Sequence, residues 1–541
     1  MYRTLLIGLD GATFKVLDSL MNDGVMPFLR EFLARGVRAD LLSTPNALTP
    51  PAWTSLVTGR TPGHHGIFDF VHAEEGAEGL YFTLNMSYDI RCETIWSIVS
   101  REGGSVTSLN FPVSYPPWPV NGHVVPGFTH WKHLRRSVHP PEFYETLKTI
   151  PGFDARALSM DMNQELKSIQ YLPPEEYLGW IEHHIKREAQ WFNIARHILE
   201  HSPTDLLAVL FDGVDKLQHL CWRFIDPEIF PSHPDPTESM IHERCLDYFR
   251  QLDGFIRDLV RLAGPQARIF LASDHGFGAT SEVFYANVWL EREGYLRWTE
   301  EAAKDAAGFM SADRIKSHVV GIDWKHTSAY ALTPSSNGIY IRRADGAPGE
   351  GQRAIAAEQY EAFRRELADR LLAFRHPVTG RQFIKRVMTR EEAFPGDANS
   401  RAPDLTLVLE DYGFLSVLNA DEVVKRRPEE AGTHNPLGVF MAGGEGIEGP
   451  QALSQLEIID VAPTLLHSLG MTIPEDMEGR VVTECYQREA LARLPLEYAG
   501  AAKATAAAAQ LETQAAEEPV RMDEDEQEKL FAKLKLLGYM E

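Results

Sequence analysis

Three short apolar runs, far apart in the chain, each finish on a carboxylate beside glycine or histidine. They are Thr4–Leu9 running into Asp10-Gly11, Leu206–Phe211 into Asp212-Gly213, and residues 269–272 into Ser273-Asp274-His275-Gly276. Continuous apolar runs of this length read as strands buried on both faces, as in parallel sheets, and in open α/β sheets ligands gather beyond the carboxyl ends of the strands. Three acidic groups from distant segments are therefore expected at one sheet edge. Carboxylates crowded there repel one another and stay partly protonated unless a cation sits among them, so the pattern predicts a metal site.

Between these runs the hydrophobic period changes. Residues 13–35 carry Val16, Leu17, Leu20, Met21, Phe28, Leu29 and Leu33 at helical spacing up to Gly36, which predicts one helix. Strand, helix and strand then repeat to about residue 275, the pattern of a doubly wound, mostly parallel α/β sheet. Residues 281–402 are less regular, with a strand-like stretch at 338–341 and a charged amphipathic helix over 359–374, and are expected to form an inserted cap. Core strands are expected to resume at 404–409 and 438–441, and a helix to open at Asp460 and end by Gly470. The expected organisation is a core of 1–280, the insertion, a second core part over 403–497, and an alanine-rich, acidic tail over 498–541. The tail closes with a helix whose stripe of Leu530, Phe531, Leu534 and Leu537 is expected to dock back onto the core.

Apolar residues make up 44% of the 541, ample for a packed interior, while a net charge of -24 argues against nucleic acid and anionic membrane surfaces. The expected partner is a small molecule, and oligomeric state is not written in the sequence. Cys92, Cys221, Cys245 and Cys485 are scattered without a C-x-x-C pair, so neither a disulfide framework nor a thiolate zinc site is indicated. The first strand starts almost at Met1, and no apolar run is long enough to span a bilayer, so a soluble cytoplasmic protein is expected.

Leu48-Thr49-Pro50-Pro51-Ala52-Trp53 reads as a loop entering a short helix, with Thr49 at the N-cap and proline at N1. Capping alone accounts for a threonine there. A hydroxyl at the positive end of a helix dipole is also one that a nearby divalent cation would turn into a nucleophile, with free amides beside it for an anionic phosphoryl group. Asp215 and His219, at i and i+4, share a helix face and can bind one cation, a spacing that also arises by chance on solvated helices. Asp212 is a rival ligand. Asp274-His275 stands at a strand terminus, and His434, read in a loop before another buried strand, would complete a histidine-rich site.

Together and in order, these segments resemble the alkaline phosphatase superfamily. Within it they are most similar to type I phosphodiesterases and nucleotide pyrophosphatases, with the predicted phosphohydrolases or phosphomutases near that branch. The likeness runs from Leu5 to about Arg480, through Gly8-Leu9-Asp10-Gly11, residues 49–59, Pro62-Gly63-His64-His65-Gly66-Ile67, residues 215–219 and 273–276, Gly432-Thr433-His434, and Asp460-Val461-Ala462-Pro463-Thr464. The resemblance implies an alkaline phosphatase-like fold and two divalent cations, zinc as a rule and manganese in some members. It places one with Asp215, His219 and His434, and the other with Asp10, Asp274 and His275, reached also by Thr49. It further implies in-line attack of Thr49 on phosphorus and hydrolysis of the resulting phosphothreonine. Mixed carboxylate and imidazole ligands do not by themselves choose among zinc, manganese and iron.

Two departures stand out. Where nucleotide pyrophosphatases place an asparagine against the phosphoryl oxygen, this chain has Phe70, and where sulfatases need cysteine or serine before proline and arginine, it has Thr49, Pro51 and Trp53. Lys216, Arg223, Lys325, His326 and Arg401 are the cations near these motifs that would replace the missing phosphate contact. Trp53 and Phe70 are expected to pack rather than stack on a substrate ring, and His64 and His65 to make structural hydrogen bonds. The expected activity is hydrolysis of a small phosphodiester or phosphomonoester. A metal-dependent phosphomutase and a non-catalytic binding protein of the same fold are the alternatives.

Overall fold

Side chains alternate across a strand, and the central strands here are apolar at almost every position, so both sheet faces need cover. In Thr4–Leu9, Leu5, Ile7 and Leu9 join one hydrophobic cluster and Leu6 the other; in Leu206–Phe211, Leu207, Val209 and Phe211 join the first, Leu206, Ala208 and Leu210 the second. Helices Phe14–Asn22, Pro174–His201, Gly213–Ile225 and Pro236–Ala263 close the first cluster. Thr49–Thr58, Ile95–Arg101 and Val461–Ser468 close the second. The structure is a computed structural model that describes residues 3–76, 79–129, 132–159, 173–303, 321–344 and 353–499. The helix expected at 527–537 lies outside them.

Among the described residues the central sheet has nine strands. Their order is Gln451–Ala452, Val37–Leu42, Leu437–Gly444, Arg268–Ala272, Thr4–Leu9, Leu206–Phe211, Val106–Leu109 and Gly122–Val125, with Leu456–Glu457 also on Val37–Leu42. Pairing is parallel except at Leu437–Gly444, which runs antiparallel to both neighbours. The three acid-tipped strands are adjacent, Thr4–Leu9 lying between the other two in matched register, so Asp10, Asp212 and Asp274 leave the sheet at one edge.

Two expectations need correction. The single helix over 13–35 is two, Phe14–Asn22 and Pro27–Leu33, because Gly24 takes a left-handed φ of 75° and Pro27 starts a new first turn. The Asp253 carboxylate caps the second from a distance, accepting Phe28 N at 3.0 Å and Leu29 N at 2.8 Å. Leu405–Leu409, expected to resume the central sheet, lies instead in a four-stranded sheet between Gly338–Ile341 and Ile384–Thr389, antiparallel to both. A buried apolar run does not specify which sheet buries it. Here Leu405, Leu407 and Leu409 pack with Ile339, Leu367 and Leu371 in a third cluster drawn from 284–424.

A ribbon joins this smaller unit to the central sheet. Gly276–Tyr285 runs antiparallel to Val424–Asn435, with Phe277 opposite His434 and Gly276 opposite Asn435. A second tie is Asp69, whose buried carboxylate accepts hydrogen bonds from Thr333 and Ser335, just before Gly338–Ile341 of the smaller unit. No helix among the described residues is long and apolar enough to cross a membrane.

Candidate metal centre

Each ligand candidate is delivered by a different local device. Asp10 follows the first strand, and Gly11 turns there with a φ of 67°, its amide donating to Asp274 Oδ1 at 3.1 Å. A side chain at Gly11 would meet the Phe277 ring at 2.9 Å, so glycine is required twice over. Asp215 and His219 sit one turn apart on Gly213–Ile225. His434 is not in a loop but near the end of the long strand Val424–Asn435, a strand the sequence conceals behind charged residues. The neighbouring Gly276 is forced by crowding, since a Cβ there would lie 1.9 Å from the Leu437 carbonyl oxygen.

The six side chains gather into two buried groups, Asp215, His219 and His434, and Asp10, Asp274 and His275, with ligand atoms in each within 4.8 Å of one another. Asp215 Oδ1 is 3.4 Å from His219 Nε2 and 3.2 Å from His434 Nε2. In the other group His275 Nε2 is 3.1 Å from Asp274 Oδ2 and 3.7 Å from Asp10 Oδ1. The His275 and His434 rings stack with centroids 3.6 Å apart, so the groups adjoin. Thr49 Oγ1, fully buried, lies 3.4 Å from His275 Nε2.

Their electrostatics are those of a cation site. Burial first, then the charges of Asp274 and Asp215, pushes Asp10 well above the usual carboxylate range, and burial raises Asp274 in the same way. Burial works to raise Asp215 too, but the combined pull of His219, Lys216 and His434 holds it well below. Burial depresses His275 and His434, against the opposing pull of the Asp215 charge. His434 Nδ1 donates to the Ala47 carbonyl at 2.7 Å and His275 Nδ1 to that of Gly276 at 3.1 Å, leaving each Nε2 lone pair facing inward. His219 Nε2 and His434 Nε2 stand 3.0 Å apart, and Asp10 Oδ1 and Asp274 Oδ2 are buried with no hydrogen-bond partner. Lone pairs and carboxylate oxygens aimed at each other in a buried space fit borderline divalent cations.

Thr49 is the first residue of Thr49–Thr58 and Leu48 its N-cap, so the helix starts one residue earlier than expected. Pro50 and Pro51 carry no N–H, and Ala52 N bonds to Leu48 O at 3.0 Å, so the helix end lacks the expected cluster of free amides. Asp212, the rival ligand, pairs with buried Arg187 and accepts from Asn110 Nδ2 at 3.1 Å, both at Oδ1, and belongs to neither group. Trp53 Nε1 donates to Asp10 Oδ2 at 3.1 Å. This role is foreshadowed only by the i+4 spacing from Thr49.

Of the five cations singled out in the sequence, Lys216 is buried with Nζ 3.5 Å from Asp215 Oδ2, on the side of the carboxylate away from the histidines. Arg223 pairs with Glu429 at 3.2 Å. His326 Nδ1 sits 2.7 Å from Asp323 in its own turn, next to Lys325, and Arg401 stands 3.7 Å from Asp89. His65 bonds Ser55 Oγ at 2.9 Å, and His64 lies 2.9 Å from Glu478, both structural contacts.

A family model described as type I phosphodiesterase / nucleotide pyrophosphatase matches residues 4–437. Among solved structures, the chain is similar to murine ectonucleotide pyrophosphatase / phosphodiesterase 5, at 14% identity over 90% of this chain and 100% of that one, with a TM-score of 0.49. It is also similar to phosphonoacetate hydrolase from Sinorhizobium meliloti, solved with phosphonoformate, at 16% identity over 86% and 95%, with a TM-score of 0.49. No curated protein matches.

Proposed function

As the chain belongs to the type I phosphodiesterase / nucleotide pyrophosphatase family, metal-dependent hydrolases of the alkaline phosphatase superfamily, we propose that it cleaves a small phosphodiester or phosphomonoester through a phosphothreonine at Thr49. The observation that carries this reading is the placement of the buried Thr49 hydroxyl 3.4 Å from His275 Nε2, beside two buried carboxylate and imidazole groups. Two divalent cations, zinc by preference and manganese as the alternative, would lower the hydroxyl's pKa and take up charge on the phosphoryl and leaving oxygens. Asp215, His219 and His434 would hold one, and Asp10, Asp274 and His275 the other.

The chain's own residues do the rest. Trp53 and Gly11 N each hold one oxygen of Asp10 and Asp274, and the Ala47 and Gly276 carbonyls fix the histidine tautomers. In the first step the Thr49 oxygen bonds to phosphorus as the bond to the leaving oxygen breaks. In the second, water takes the phosphoryl group and the Thr49 hydroxyl is restored. Lys216 screens the carboxylates around Asp215. Four buried, unpaired thiols support a reducing compartment such as the cytoplasm. Acid quenching during turnover of a chromogenic phosphoester, followed by peptide mass spectrometry, tests the reading. Phosphate on Thr49 supports it, and turnover with no modified peptide refutes it.

A further inference from the structure

One wall of the centre is apolar. Leu48, next to the nucleophile, packs in a small cluster with Phe70 and Val71, against part-exposed Phe82, Leu84, Phe128, Phe414 and Leu418. This cluster touches the reaction centre at two points. The Phe414 ring meets the His434 ring edge-on with centroids 4.9 Å apart, and the Lys216 ammonium lies 5.8 Å from the centre of the Phe128 ring. Phe70, at the place of a phosphate-contacting asparagine, has its ring 6.2 Å from that of Phe128.

Phe128 is held there at a cost. Its φ is 57°, a left-handed conformation that a bulky residue adopts at about 1–3 kcal/mol when the surroundings impose it, and such positions gather at ligand sites. The ring comes from a loop beyond the Gly122–Val125 strand at the carboxyl edge of the sheet, and Phe414 from the segment between the small sheet and the ribbon. Two distant segments thus bring part-exposed apolar rings to the centre, Phe414 against His434 and Phe128 beside Lys216.

We propose that the ester group carried by the substrate phosphate is apolar and uncharged, an aryl or alkyl group, and that it packs on Phe128, Phe414 and Leu418. The inference rests on the phosphohydrolase reading for the phosphate but needs no turnover to be tested. Binding of phenylphosphonate, methylphosphonate and glycerol 1-phosphate is measured by calorimetry on metal-loaded Thr49→Ala protein, then on the same protein with Phe414→Ala or Leu418→Ala added, with metal content determined throughout. A preference for phenylphosphonate of about tenfold or more, the scale of small apolar discriminations, that collapses in both added variants is the expected result. Equal affinity for the two phosphonates, glycerol 1-phosphate binding as tightly as phenylphosphonate, or a preference that survives both added substitutions at full metal content overturns it. A Thr49 protein that never turned over as wild type but shows the preference refutes the reaction and leaves the apolar subsite standing.

Discussion

Trp53 holds one oxygen of Asp10 while the other faces His275 Nε2 at 3.7 Å, so a residue outside the ligand groups decides how a carboxylate is aimed. Partners that orient a ligand are worth about 10–100-fold in metal affinity. Trp53→Phe keeps the ring against Phe111 and removes only the donor, and is expected to weaken metal binding by that margin in competition with a chromophoric chelator. Unchanged affinity would show that packing alone aims Asp10. His65 makes a different kind of contribution. Burial pushes its imidazole down to about 3, against an ordinary 6.5, while Ile67 N donates to Nδ1 and Nε2 reaches Ser55. A folded pKa below the unfolded one stabilises above pH 6.5, and that stability is lost as pH falls toward 3. The stability difference between wild type and His65→Gln should therefore shrink by an amount on the order of 4 kcal/mol across that window. A flat difference across a series of denaturant melts would contradict it.

Under the Gly213–Ile225 helix, which carries Asp215 and His219, lies the buried Arg187–Asp212 pair, joining it to the long Pro174–His201 helix. Breaking a buried pair by removing one partner leaves an uncompensated charge and costs about 3–5 kcal/mol, whereas replacing both by apolar groups is often neutral. Arg187→Met is expected to lower the denaturant midpoint accordingly and Arg187→Met with Asp212→Leu to restore most of it; equal loss in both would assign the effect to packing. Nothing in the sequence pairs Arg187 with Asp212, because the contact joins a helix to a strand end through tertiary packing alone. The same holds for Phe414 against His434. What is local was legible: strands buried on both faces announce themselves as unbroken apolar runs, and their acidic ends gave the site its edge. Residues 13–35 misled because helical spacing continues across Gly24 and Pro27, and 404–409 because an apolar run fits either sheet. His434 was expected in a loop and stands in a strand, since Lys425 to Glu430 hide the strand's period.

Over the whole molecule, the central sheet brings three strand ends to one edge and the ribbon returns His434 to the same place, so the centre ties together segments from Asp10 to His434. Burial pushes Asp10 and Asp274 well above the usual carboxylate range, a cost that a bound cation would offset, and any ligand that binds only the folded form stabilises it by mass action. Chelation is therefore expected to lower the melting temperature, by roughly 4 kcal/mol of stability if cations were present at a thousandfold over Kd, and re-addition of zinc or manganese to restore it. Insensitivity of the melt to chelator would deny the centre a structural share. The most direct test of the account is metal content together with initial rates on para-nitrophenyl phosphate and bis-para-nitrophenyl phosphate, for wild type and Thr49→Ala. About two ions per chain in both proteins, with turnover of the preferred ester abolished only in the variant, is the predicted result. Hydrolysis that survives Thr49→Ala, or a purified protein that binds no metal, would contradict it.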